Sequence, residues 1–327
     1  MTQLAILDDY QGVALQMADW QTLPATCELQ VFHDHLTDQD ALVERLHRFE
    51  IITCMRERTP FPRTLLARLP NLRLLVTTAM RNASIDIDAA TELGIMVCGT
   101  AGGPSGPPAE LTWGLILALV RHIPQEDAGV RAGRWGSTLG LSLEGKVLGV
   151  LGLGQLGGRV ARAGLAFGMS VIAWSQNMTP ERAAQHGATL VSKETLCTDS
   201  DILSINVQLS ARTRGLIGAR ELALMKPTAY LINTARGPIV DEAALIQALQ
   251  TRRIAGAGLD VFDQEPLPAG HPFLTLDNTL LVPHIGYVTR EQYQVRYRDT
   301  VENVAAYLQG TPVRVLNPAV LDRMRSS

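Results

Sequence analysis

The apolar run Val147-Leu148-Gly149-Val150-Leu151 leads straight into Gly152-Leu153-Gly154-Gln155-Leu156-Gly157, and residues 155–167 then carry helical periodicity. Strand, glycine turn and helix in immediate succession restrict this stretch to a βα unit of a parallel sheet. Each glycine has a physical reason in such a unit. The first permits the tight turn, the second lets backbone approach a pyrophosphate, and the third lets the helix pack close to the strand. The helix N-terminus then faces the anion. Glycine is common in this chain, at 28 residues, so the spacing carries weight only through its strand–turn–helix setting. The alternative is a tight turn with no ligand.

A dinucleotide site of this kind calls for an acidic residue about twenty positions further on, bonded to the adenosine ribose. The strand over 170–174 ends instead at Trp174-Ser175-Gln176-Asn177, with Ser175 at the acidic position. An Asp there repels a 2′-phosphate and a Ser does not. The cofactor is therefore expected to be NAD or NADP, with a lean to NADP. Arg182 is a distant candidate for the extra phosphate.

The rest of the chain repeats the alternation. Short runs rich in Val, Ile and Leu predict strands at 3–8, 27–33, 50–55, 72–77 and 95–98. A second series follows at 146–151, 170–174, 188–191, 202–207, 229–232, 257–260 and 279–282. Helix patterns fall between them, as at 39–48 and 63–69, and 37–40 reads as a capping box. The fold class expected is α/β, with two doubly wound parallel-sheet domains: a Rossmann cofactor domain and a smaller flavodoxin-like substrate domain. Gly99-Thr100-Ala101-Gly102-Gly103-Pro104-Ser105-Gly106-Pro107-Pro108 cannot continue helix or strand and marks a domain crossing. A long apolar helix is expected after it, at about 109–122. The domains expected are 1–101 with 287–327 for substrate and 102–286 for cofactor. A last helix over 290–309 returns to the first domain.

Composition excludes other classes. A net charge of -3 offers no broad basic field for nucleic acid or an anionic membrane. The longest apolar run, about 111–120, is half what a bilayer requires. No charged leader precedes the strand at Leu4, and the four cysteines (Cys27, Cys54, Cys98, Cys197) form no CxxC pair, so a reduced, cytoplasmic setting is expected. His33-Asp34-His35 has a metal-like look but no third ligand nearby, and no metal is expected. Gly-x-Ser-x-Gly is absent, which leaves a hydrolase elbow without support.

Three strings remain: Asn233-Thr234-Ala235-Arg236-Gly237, Asp260-Val261-Phe262-Asp263-Gln264-Glu265-Pro266 and Pro283-His284-Ile285-Gly286. With the glycine loop they supply a guanidinium for a carboxylate and a histidine with an acidic partner. A guanidinium is a forked donor that grips a carboxylate. A histidine exchanges protons near working pH. These are the parts needed to move a hydride to or from a 2-keto or 2-hydroxy acid.

In their order and spacing the four motifs resemble the D-isomer-specific 2-hydroxyacid dehydrogenase family, and the likeness runs from about residue 50 to Pro318. The resemblance implies that Arg236 binds the substrate carboxylate, that His284 is the acid/base, and that Glu265 holds its imidazole. Formate dehydrogenases of the family have glutamine at the last position, so Glu265 argues against formate. The resemblance implies cofactor contacts from Gly152, Gly154, Gln155, Leu156, Gly157, Ser175, Thr234, Ala235, Arg236, His284 and Gly286. It places Asp260 near the nicotinamide amide; a buried strand-end carboxylate capping a loop is the other reading. Asn206-Val207-Gln208 stands where many relatives have His-x-Pro near the adenine, so Val207 is a cofactor contact in altered surroundings. Thr77-Thr78-Ala79-Met80-Arg81-Asn82 matches the loop whose backbone N–H groups bind the carboxylate, with Ala79 where glycine is usual. Thr78, Ala79, Met80, Arg81 and Arg56 are the substrate-side candidates. Met80 could equally be core filler, and Arg56 and Arg81 solvated charge. The partner expected is a small-molecule 2-keto or 2-hydroxy acid, in a homodimer joined through the cofactor domain and its 102–140 segment. A rival from another class is an NAD(H)-sensing corepressor-like interaction protein on the same fold.

Overall fold

The computed structural model describes residues 1–326. Contact density divides the chain into two compact units, Met1–Pro104 with Val288–Ser327, and Ser105–Tyr287. The first division falls inside the Gly/Pro-rich 99–108 segment.

The first unit is a five-stranded parallel sheet. Its strands are β1 (Thr2–Ile6), β2 (Cys27–Val31), β3 (Ile51–Cys54), β4 (Leu74–Thr77) and β5 (Met96–Gly99), in the order β2-β1-β3-β4-β5. β3, β4 and β5 are buried along their whole length. That is why their sequences read as continuous apolar runs rather than alternating ones. The helix Gln39–Leu46 is capped by Asp38, whose side chain accepts from the Ala41 N–H at 2.8 Å. The capping oxygen is therefore that of Asp38 within the 37–40 box.

The second unit is a seven-stranded parallel sheet. It holds β6 (Val147–Leu151), β7 (Ser170–Trp174), β8 (Thr189–Leu190), β9 (Ile202–Ile205), β10 (Tyr230–Asn233), β11 (Gly256–Leu259) and β12 (Thr279–Leu281). Their order is β12-β11-β10-β9-β6-β7-β8, so direction along the sheet reverses between β6 and β9. Such a switch point opens a crevice at the carboxyl ends of the strands, where ligands bind in folds of this type. Alternate residues feed opposite faces: Leu203, Ile205 and Leu231 join one core cluster, while Ile202 and Ile232 join the other.

The helix after the Gly/Pro segment spans Pro107–Val120, starting two residues before the expected 109. Proline at the first helical positions needs no N–H partner there, so the two prolines open the helix rather than precede it. It buries Trp113, Leu115, Ile116 and Leu119. Gly258 on β11 leaves room for it: a Cβ there would lie 3.0 Å from Leu119 Cδ1. The final helix, Arg290–Leu308, lies in the first unit and packs on β4.

No helix among the described residues is long and apolar enough to cross a membrane. None of their His, Cys, Asp and Glu side chains gather in threes to hold a metal ion. His33 Nδ1 lies 2.9 Å from the Asp9 carbonyl, His35 Nδ1 lies 3.0 Å from Asp8 Oδ1, and Asp34 receives both donors of Arg45. All four cysteines are buried. Burial pushes the Cys54 and Cys98 thiols up to about 12, where they stay protonated and inert.

Candidate active site

Every candidate residue of this unit lies at the carboxyl edge of the seven-stranded sheet, after β6, β7, β9, β10, β11 or β12. β6 feeds the glycine loop. Gly152 adopts φ +95°, a turn closed to most side chains, and a Cβ on it would sit 2.7 Å from Val207 Cγ1. Val207 follows β9, so the exits of the two strands flanking the switch point touch here. A Cβ on Gly157 would fall 2.0 Å from the Gly152 carbonyl oxygen, so only glycine lets this helix start against its strand. Gly154 is different: nothing lies within 4 Å of its would-be Cβ. The chain itself does not need that space, whereas a closely approaching pyrophosphate would. Gly154 caps the helix Gln155–Ala166 without a side-chain acceptor, leaving the first-turn N–H groups of Gln155 and Leu156 to face an anion. These residues fit a dinucleotide.

Two features at this loop were not legible beforehand. Ser175, at the end of β7, accepts the Leu153 N–H on its Oγ at 3.1 Å, so the residue in the acidic position braces the glycine loop. Ser105 Oγ accepts from Gln155 Nε2 at 3.2 Å and from Arg159 Nη2 at 2.9 Å, tying the segment before the Pro107–Val120 helix to the glycine-loop helix.

β10 feeds the arginine loop. Buried Asn233 stitches it: its Oδ1 accepts the Ala235 N–H at 3.0 Å, and its Nδ2 donates to the Arg236 carbonyl at 2.9 Å. Thr234 Oγ1 meets Thr112 Oγ1 at 2.8 Å. Arg236 is half-buried and its Nη1 donates to the Ala235 carbonyl at 2.6 Å. A Cβ on Gly237 would lie 2.1 Å from the Phe262 carbonyl carbon. Gly237 thus lets the arginine loop rest directly on the loop that carries Glu265.

β11 and β12 feed the proton-transfer candidates. His284 Nδ1 lies 2.6 Å from Glu265 Oε2, and Glu265 Oε1 accepts the Phe262 N–H at 2.9 Å. An ionised Glu265 assigns the proton to Nδ1 and leaves Nε2 for exchange. The ring of Tyr287 stands edge-on to the imidazole, 5.7 Å away. The His284 side chain keeps 18% of its surface, enough for a small molecule to reach it.

His284 has φ +52°, a left-handed conformation that costs a residue bearing a Cβ about 1 kcal/mol or more. Asp260 opposes that cost. Its Oδ1 accepts the Ile285 N–H at 2.6 Å and its Oδ2 the Gly286 N–H at 3.0 Å. Hydrogen bonds to a charged group contribute roughly 1.5–3 kcal/mol each, enough to hold the strained turn. Asp260 thus caps the loop that follows β12 through two backbone N–H groups. Gly286 is needed beside it, since a Cβ there would come within 3.0 Å of Asp260 Oδ2.

Burial pushes the Asp260 carboxyl up to about 6, against the hydrogen bonds from Ile285 and Gly286 that pull it down. Between the unfolded value near 3.8 and about 6 the folded protein binds a proton that the unfolded chain does not. This contribution to stability is full below the lower value and is lost as pH rises through about 6. Asp260→Asn is expected to abolish that component. It should also lower stability at pH 7 by roughly 1–3 kcal/mol, because an amide cannot accept both N–H groups. Urea unfolding at a series of pH values checks this; an unchanged profile in the variant would contradict it.

In the first unit, the loop after β4 is knitted to the loop after β3. Thr78 Oγ1 accepts the Arg56 N–H at 3.0 Å, and Asn82 Nδ2 donates to the Arg56 carbonyl at 2.6 Å and to Thr77 Oγ1 at 2.9 Å. Arg56 is half-buried at φ +52°, with its Nε 3.3 Å from Glu57 Oε2. Met80 and Arg81 are exposed, so Met80 is not core filler.

The chain is similar to known proteins. Residues 113–286 match the family described as D-isomer specific 2-hydroxyacid dehydrogenase, NAD binding domain. The chain is similar to a glyoxylate reductase from Aeropyrum pernix, 43% identical over 267 residues that cover 79% of this chain and 80% of that protein. It is also similar to a D-3-phosphoglycerate dehydrogenase from Methanocaldococcus jannaschii, 36% identical over 83% of this chain and 52% of that protein. A solved phosphoglycerate oxidoreductase from Vibrio cholerae O395 superposes with a TM-score of 0.89 at 36% identity, covering 95% of this chain and all of that one.

Proposed function

This chain belongs to the D-isomer-specific 2-hydroxyacid dehydrogenase family, and from that premise we propose that it interconverts a small 2-keto acid and its D-2-hydroxy acid. The hydride is supplied by a nicotinamide dinucleotide bound at the glycine loop. Arg236 grips the substrate carboxylate as a forked donor. His284 donates a proton from Nε2 to the carbonyl oxygen in reduction and takes it back in oxidation. Glu265 fixes the tautomer and orientation of that imidazole. Asp260 holds the turn that carries it. Backbone N–H groups of the 78–82 loop are donors for a substrate carboxylate, with Arg56, Met80 and Arg81 shaping specificity.

The observation that carries this reading is the 2.6 Å bond between His284 Nδ1 and Glu265 Oε2, on loops adjoining that of Arg236. A panel of 2-keto acids, glyoxylate and hydroxypyruvate among them, tests it. Oxidation of the reduced cofactor is the expected result, with a D-configured product wherever the product is chiral, as from hydroxypyruvate; no turnover on any member, or an L product, would overturn it.

The cofactor is NAD or NADP, and we favour NADP. No acid stands at the end of β7 to repel a 2′-phosphate, Gln176 and Asn177 are exposed, and Arg182 is exposed on the next helix, Pro180–Ala184. NADPH is expected to give at least the kcat/KM of NADH, and Ser175→Asp should shift the ratio toward NADH by about tenfold or more, a change of about 1.4 kcal/mol. A strong wild-type preference for NADH would contradict the assignment.

The 102–140 segment supports a homodimer. Trp135 and Leu139 are 88% and 94% exposed, and Ile123 and Val130 stand about half exposed on the helix just before them. A monomer seldom leaves so many large apolar side chains in water over one short stretch. Light scattering should return twice the 35.5 kDa chain mass, and Trp135→Glu should reduce it to one. A wild-type monomer would remove the proposal.

A further inference from the structure

Among the polar side chains that the helix Arg290–Leu308 buries are Gln292, Arg296, Asp299 and Asn303, none more than 5% exposed. Their spacing of four, three and four sets them on one face. An ordinary packing face would be apolar, because buried polar groups destabilise unless each is bonded. Here each one reaches backbone at the carboxyl edge of the five-stranded sheet. Gln292 Nε2 donates to the Pro104 carbonyl, Asp299 Oδ2 accepts the Ala101 N–H at 2.8 Å, and Asn303 Nδ2 donates to the Gly99 carbonyl at 2.8 Å. Arg296 Nη1 donates to the carbonyl of Thr78, while its Nη2 lies 3.3 Å from Gln292 Oε1.

We infer that Arg296 is a positioning residue that aims the carboxylate-binding N–H groups of the 78–82 loop. The peptide unit joining Thr78 and Ala79 is planar and trans, so its C=O and N–H point in opposite directions. A guanidinium that holds the Thr78 carbonyl therefore sets the direction of the Ala79 N–H. It also polarises that N–H, because hydrogen bonds along one peptide unit strengthen each other. Arginine keeps its charge when buried, so the effect does not vary with pH. A second support is Gly99. A Cβ on it would lie 2.6 Å from the Ala79 carbonyl oxygen and 3.1 Å from Met80 Cα, so the last residue of β5 has no side chain where the loop rests. Asn303 fixes Gly99 in turn. One helix face thus sets both the seat of the loop and the direction of its donors.

The inference rests on the reading that this loop binds the substrate carboxylate. Its test uses the full-length protein with Arg296→Gln, Arg296→Lys and Gly99→Ala. In Arg296→Gln the KM for the keto acid is expected to rise about tenfold, the loss of one charge-assisted contact. The KM for the cofactor should stay within twofold. Lysine keeps the charge and should recover part of the loss. Gly99→Ala displaces the loop without touching any charge and should raise the same KM, which decides the matter if the Arg296 variants do not fold. A keto-acid KM within twofold of wild type in every folded variant overturns the inference, as does a parallel rise in both KM values. Absence of wild-type turnover would sink the functional reading separately. Pyruvate should then still raise the Tm of the wild type more than that of Arg296→Gln, and equal shifts would overturn the role of Arg296.

Discussion

His284→Gln is expected to lower kcat for keto-acid reduction by roughly a hundredfold to ten-thousandfold, the usual contribution of a positioned acid. Glutamine is close to histidine in volume and keeps a hydrogen-bonding group beside Glu265, but it has no proton to exchange. The loss should therefore fall on kcat, with the KM of the cofactor little changed. The glycine loop at 152–157 holds its shape through its own close contacts and through Ser175 Oγ on Leu153, none of which involves His284. Steady-state kinetics with saturating cofactor checks this. Turnover within tenfold of wild type would remove His284 from proton transfer.

Arg236→Gln is expected to lower kcat/KM for the keto acid by roughly a hundredfold to ten-thousandfold. Two donors to one carboxylate are at stake, each contributing about 1.5–3 kcal/mol when charge-assisted. Arg236→Lys should fall between, since an ammonium restores charge without the planar fork. The loop should survive either change. It is held by Asn233 through the Ala235 N–H and the Arg236 carbonyl, and by the fit of Gly237 against Phe262, contacts that either variant keeps. If both variants kept kcat/KM within threefold of wild type, another group would bind the carboxylate.

What could be read in the sequence follows from how local the signal is. The parallel strands were legible because burial on both faces writes an uninterrupted apolar run, as in β3, β4 and β5. The turn at 152–157 was legible because its glycine spacing is local: Gly152 takes a φ of +95° and Gly157 packs on the Gly152 carbonyl. The glutamate and histidine were legible only through their motifs, since nineteen positions separate them and nothing local says that one bonds the other. The brace from Ser175 to Leu153 is not legible in the sequence, because a serine after a strand says nothing of a backbone N–H on a neighbouring strand's loop. The face formed by Gln292, Arg296, Asp299 and Asn303 was missed for a different reason. Polar residues at helical spacing read as a solvated surface, and only their loop partners, far away in sequence, show that the face is buried. Asp260 left two readings open because a carboxylate at a strand end looks the same whether it meets a ligand or two backbone N–H groups.

The most direct test of a coupled His284–Glu265 pair is a double-mutant cycle on kcat, with His284→Gln, Glu265→Gln and the two together. If Glu265 acts by holding the imidazole, Glu265→Gln alone should lower kcat by about tenfold or more. Adding it to His284→Gln should then lower kcat little further, because the group it serves is already gone. Losses that multiply in the double variant would contradict a shared function and leave the 2.6 Å bond without a part in catalysis.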